Sequence, residues 1–88
     1  MKRYTVKNTD GTISITDDVD LQEALHRFAA FEDVLEELAA EQAEIPTELV
    51  RLRFEGKEKT IHYKELFGQK LMNNHTILLF ERHGIKTE

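Results

Sequence analysis

Apolar residues recur on an alternating three-and-four spacing from Leu21 to Ile45, through Ala24, Phe28, Phe31, Leu35 and Leu38. The row is broken at Gln42 and widened by Leu25, Val34 and Ala39. This period predicts one long amphipathic helix over 20–45 with its stripe buried. Asp20 followed by Glu23 fits a capping box, in which the first carboxylate accepts from an unpaired backbone amide and the second reaches back. Asp17 and Asp18 add negative charge where the helix macrodipole favours it. Pro46 ends the pattern, because it has no amide to donate and disfavours the α conformation at Ile45.

Before the helix the period drops to two. Residues 3–16 alternate around Asp10-Gly11, a dipeptide suited to a type I′ turn, and predict a β-hairpin. Pairing Thr9 with Thr12 would set Val6 opposite Ile15 and Asn8 opposite Ile13. Tyr4, Val6, Ile13 and Ile15 would then share one face, to be covered by the long helix or by a third strand. Residues 47–56 fit two patterns. As a helix, Ile45, Leu49 and Leu52 make a stripe that Gly56 stops; as a strand, Val50, Leu52 and Phe54 alternate with Arg51, Arg53 and Glu55. The helix is favoured. Residues 60–63 read as a candidate third strand, with Ile61 and Tyr63 on one side. Residues 64–84 read as two helices interrupted at Asn73-Asn74 and closed by Gly84, with Ile85 supplying the apolar contact of such a cap. The expectation is a single α+β domain over 1–88: an N-terminal hairpin packed on one long amphipathic helix, followed by short C-terminal helices.

Composition narrows the function. A chain of 88 residues has room for one modest core. With no cysteine there is neither a disulfide framework nor a thiolate metal site, which suits a reducing cytoplasm. No leader-like segment opens the chain, and no apolar run approaches the roughly 18 residues that span a bilayer. The net charge of −5 is uneven, since residues 1–46 carry 4 basic and 11 acidic side chains and residues 47–88 carry 8 and 6. Such a balance argues against non-specific duplex binding, which rests on neutralising several phosphates.

Candidate chemistry is sparse. His26, His62, His75 and His83 show no i,i+4 pair, no glycine-rich phosphate loop is present, and nothing positions a nucleophile beside a base. The expectation is a non-enzymatic protein without metal or cofactor. The acidic helix surface is the distinctive feature, and Asp33, Glu36, Glu37, Glu41 and Glu44 are the candidate partner-binding residues, aimed at a basic groove on another protein. The alternative is a solvated face that meets Arg51, Arg53, Lys57 and Lys59 of the same chain. Residues 65–80 have the outline of a helix-turn-helix with its turn at Met72-Asn73-Asn74, which would make Lys64, Lys70 and Arg82 contact DNA. That turn is about a residue short, and the second helix is apolar where base-reading side chains belong. The long stripe is wider than a small hairpin covers, which predicts a homo-oligomer.

Leu25-His26-Arg27-Phe28-Ala29-Ala30-Phe31-Glu32-Asp33 resembles the Leu-x-Arg-Leu-Ala-x-Tyr-Glu-Asp helix of short, uncharacterised phage and prophage proteins of Gram-positive bacteria. The run Glu55-Gly56-Lys57-Glu58-Lys59-Thr60, then Lys64-Glu65-Leu66 and the closing His83-Gly84-Ile85, is similar to the tail of such proteins. Phe28 and Phe31 stand where Leu and Tyr are commoner. The resemblance implies a phage accessory protein of the bacterial host cytoplasm, of a class that includes inhibitors of host proteins and of defence systems. It also leans 47–54 toward helix. It carries over no functional residues. A DNA-binding regulator and an oligomeric sponge for a small nucleotide signal remain the alternatives, the sponge requiring a basic or aromatic pocket.

Overall fold

A computed structural model describes residues 1–87. Strands β1 (Thr5–Lys7) and β2 (Ile13–Ile15) precede two helices, α1 (Leu21–Phe54) and α2 (Ile61–Arg82). An α+β chain is thus observed, with a two-stranded antiparallel hairpin and two helices. Both helices are longer than the sequence pattern predicts. The chain divides into two compact units, Met1–Asp33 and Val34–Glu88.

In the first unit the hairpin forms in a different register from the expected one. Thr5 pairs with Ile15, Val6 with Ser14 and Lys7 with Ile13. The turn causes this. Gly11 takes φ +89 and its amide donates to the Asn8 carbonyl at 3.1 Å, while the Asn8 amide donates to the Thr12 carbonyl at 2.8 Å. Thr9, Asp10 and Gly11 therefore make a three-residue loop with a glycine in the left-handed region, rather than a two-residue type I′ turn. Asp10 Oδ1 accepts from the Thr12 amide at 3.0 Å, and Asn8 Nδ2 donates to Ser14 Oγ at 2.7 Å across the strands. A slip of one residue exchanges faces. Ile13 and Ile15 now lie beside Lys7 and Thr5, no face is wholly apolar, and every residue of both strands is exposed. Val19 is the buried apolar side chain of this unit. Asp20 caps α1, its Oδ1 accepting from the Glu23 amide at 2.8 Å. The beginning of the predicted buried stripe is open to solvent, with Leu21, Leu25, Phe28 and Phe31 between 48% and 61% exposed.

In the second unit α1 and α2 run antiparallel. Asn73 Nδ2 donates to Glu41 Oε2 at 2.9 Å, and Arg53 Nε donates to the Tyr63 hydroxyl at 3.0 Å. The covered positions repeat every three and four residues on both helices: Leu35, Leu38, Gln42, Ile45, Leu49 and Leu52 on α1; Tyr63, Leu66, Lys70, Asn73, Ile77 and Phe80 on α2. This is the spacing of a coiled-coil seam. The cross-helix bonds set Leu38 level with Ile77, Gln42 with Asn73 and Leu49 with Leu66. Gly56, at φ +71, ends α1: its amide donates to the Arg53 carbonyl and that of Lys57 to the Leu52 carbonyl. Thr60 Oγ1 then accepts from the Tyr63 amide at 3.2 Å and starts α2.

Three expectations are corrected here. The helix does not stop at Pro46, and 47–54 continues it. Proline within a helix costs about 3 kcal/mol, whereas burying Ile45 and Leu49 on either side of it contributes about 1.5–3 kcal/mol each, so the seam outweighs the missing bond. Residues 60–63 make no third strand, because Thr60 is a helix cap and Ile61 begins α2. Residues 64–84 hold no helix-helix turn, because α2 runs unbroken through Asn73-Asn74. Asn73 is 4% exposed, and its amide is occupied by Glu41 and by Gln69 Nε2, which donates to Asn73 Oδ1 at 2.7 Å. A side chain so engaged does not compete for the helix backbone.

Replacing Pro46 by Ala restores an amide donor to the Gln42 carbonyl and should raise stability by about 1–3 kcal/mol in urea unfolding followed by circular dichroism. Leu49→Ala, at a position 2% exposed, should lower it by about 2–5 kcal/mol. A Pro46→Ala variant less stable than the parent would show that the seam requires a bend there.

Candidate functional site

The five acidic candidates do not form one equivalent surface. Asp33 belongs to the first unit and is exposed. In the second unit Glu36, Glu37 and Glu44 are exposed, but Glu41 is half-buried and its carboxylate is held by Asn73. Glu41 is therefore a structural member of the polar layer in the seam. Glu37 and Glu44 are two turns apart and share a flank about 120° round α1 from the seam, whereas Glu36 points toward the other flank. Among the described residues no Lys or Arg pairs with Glu36, Glu37 or Glu44.

Of the basic residues expected to compensate that surface, Arg51, Arg53 and Lys57 serve other partners. Arg51 bridges Glu48 and Glu55 one turn to either side, with Arg51 Nε 3.0 Å from Glu48 Oε2. The charge-assisted bond to Glu48 raises the Arg51 pKa and lowers that of Glu48, and Glu55 is lowered first by Lys57 Nζ at 3.2 Å. Arg53 sits on Tyr63, 5.9 Å from the ring centroid. The acidic positions of α1 beyond Glu44 are thus locally neutralised, and Glu37 and Glu44 are not.

Lys64, Lys70 and Arg82 are not brought together. Lys64 and Arg82 are exposed near opposite ends of α2, about 27 Å apart along its axis at 1.5 Å per residue. Lys70 is half-buried on the seam side. With α2 continuous, the helix-turn-helix outline is absent from 65–80.

One cluster that the sequence reading passed over lies in the first unit. The Arg27 guanidinium stacks on Tyr4, 4.3 Å from the ring centroid, and Nη1 donates to the Lys2 carbonyl at 2.8 Å. Lys2 Nζ lies 3.2 Å from Asp18, with its charge 5.5 Å from the same ring. Arg27 therefore clamps the N-terminal strand to α1. Its isolation was the available signal, since it is the one cation among nine carboxylates between Asp18 and Glu44. A groove of about 250 Å³ opens beside it, lined by Met1, Tyr4, Ala24, Arg27, Phe28 and Phe31 among others. This is the basic and aromatic setting that a nucleotide sponge requires. It is smaller than the roughly 300–1,000 Å³ of small-molecule pockets, and one of the five Arg27 N–H donors is already committed to the Lys2 carbonyl.

Among the described residues no three His, Asp or Glu side chains gather into a metal-binding group, and no helix is long and apolar enough to cross a membrane. No protein-family model, curated protein or solved structure matches this chain.

The clamp carries a pH signature. Lys2 holds the Asp18 carboxyl below its usual range, so the pair's contribution is present above about pH 4 and is lost as pH falls through the lowered value. The Lys2 pKa is raised by the same partner, so the contribution is lost again as pH climbs through the raised lysine value. Hydrogen-exchange protection of the Thr16 amide, which donates to the Tyr4 carbonyl at 3.0 Å, should fall at both extremes. Asp18→Asn should weaken the acid limb, to which Asp10, held below its usual range by its bonds from Thr12, also contributes, and Arg27→Ala should lower protection at every pH. Protection unchanged by Arg27→Ala would show that the strand is held without the clamp.

Proposed function

We propose that this chain is a non-enzymatic phage or prophage accessory protein that works by binding, as an inhibitor of a host protein or defence system in the bacterial cytoplasm. Glu37 and Glu44 are the centre of its contact surface. The observation that carries the reading is the uncompensated charge at these two positions, on a helix whose later carboxylate Glu48, and Glu55 just past its end, are both paired with Arg51. Solvent-exposed like charges on one flank cost stability without improving packing, and they suit a partner with a basic groove, whose approach they steer. The phage assignment is supported by the resemblance of the 25–33 helix.

Glu37→Lys combined with Glu44→Lys leaves the seam untouched, so helical circular dichroism should be retained. Affinity for the protein captured from host lysate should fall at least about tenfold, and the wild-type complex should weaken as salt rises. Full affinity in the double variant would remove this surface from the reading.

A further inference from the structure

We propose that the chain forms a two-fold dimer through the flank of the α1–α2 pair that faces away from Glu37 and Glu44, the two copies closing into an antiparallel four-helix bundle. On α1, Ala39, Ala43 and Val50 lie about 100° round the helix from the seam; on α2, Phe67, Leu71 and Leu78 lie about 100° from its seam in the same rotational sense. Because the helices are antiparallel, equal rotations of the same sense bring both rows to one side of the pair. Each helix thus carries two apolar rows roughly a right angle apart, as a helix with two packing neighbours in a bundle does. The second row of each is largely open, with Ala39 half-buried and Ala43 exposed. Val50 is 61% exposed, Phe67 43%, Leu71 55% and Leu78 57%.

The open face extends over about 20 residues of each helix, about 30 Å by about 20 Å. It is at the upper end of the apolar patches that monomers usually expose, and it is on the order of the 800 Å² per partner of a standard interface. Two features single out a second copy as its occupant. The first is size. The α1 row is mostly small and the α2 row large, and the register within one chain sets Ala43 near the level of Leu71 and Ala39 near that of Leu78. A two-fold axis parallel to the helices lays the α1 row of one copy on the α2 row of the other, so that each leucine meets an alanine. The second is charge. Glu36 borders the α1 edge of the face and Arg82 the α2 edge, within about one turn of the same level. The same axis brings these opposite charges together twice. An axis perpendicular to the helices would instead lay α1 on α1 and α2 on α2, small row against small and large against large.

This interface is independent of the acidic surface proposed for partner binding. Sedimentation equilibrium from low micromolar to submillimolar concentration should give twice the chain mass of 10.3 kDa. Leu71→Glu and Leu78→Glu should each raise the dissociation constant at least about tenfold, with helical circular dichroism kept, since both lie off the seam. Glu36→Arg and Arg82→Glu should each weaken the dimer without touching an apolar residue, and the two together should restore it. The Glu37→Lys, Glu44→Lys variant should dimerise as the parent does. A monomer at every concentration would overturn the proposal. So would a dimer indifferent to both leucine substitutions, or a charge-swapped double variant no tighter than its single parents.

Discussion

The antiparallel seam between α1 and α2 is the interaction on which the helical unit depends. Leu38, Ile45, Leu49 and Leu52 are its buried side chains, and they account for most of the apolar burial in the chain. A seam of leucines alone would tolerate a shift of one heptad. The layer at Gln42 and Asn73 does not, because Asn73 Nδ2 reaches Glu41 only in the observed register, whereas its bond from Gln69 lies within α2. Moving it would leave a buried amide unpaired at about 1–3 kcal/mol, comparable with the burial of one leucine. The layer therefore exchanges some stability for a defined alignment, as single polar positions do in coiled coils. It is also locally imperfect. The Gln42 side-chain oxygen is buried without a protein partner, and Pro46 denies the Gln42 carbonyl its amide.

The chemistry of the surface follows from that seam. Once two helices commit one row each, the remaining positions divide into two flanks, and here the flanks differ. One carries Glu37 and Glu44 on α1, with exposed Met72 and Leu79 toward its α2 side; the other carries alanines on α1 and Phe67, Leu71 and Leu78 on α2. Arg51 adds to the contrast by occupying Glu48 and Glu55, which leaves the unpaired carboxylates of α1 on the acidic flank in its earlier part.

The first unit is organised by cation-π stacking and short polar bonds more than by burial. A two-stranded hairpin of three-residue strands is marginal by itself. Arg27, stacked on Tyr4 and bonded to the Lys2 carbonyl, joins it to the start of α1.

Periodicity and local chemistry determined a good deal before any packing was known. The apolar spacing on 21–45 marked a long helix, Asp20 marked its start, and an apolar alternation around Asp10-Gly11 marked a hairpin. These are short-range preferences, decided by what a residue does to its own backbone and to neighbours one turn away. What depended on distant partners was not legible. Pro46 and Asn73-Asn74 both carry local signals for stopping a helix, and both are overridden by residues more than twenty positions away in the chain. The hairpin register turned on whether two or three residues made the turn, and Asp10-Gly11 is compatible with either. Glu41 and Glu37 are equivalent as letters in an acidic run. Only the approach of α2 buries one against Asn73 and leaves the other in solvent, because a helix has one sequence around its circumference and tertiary contact decides which side is inside.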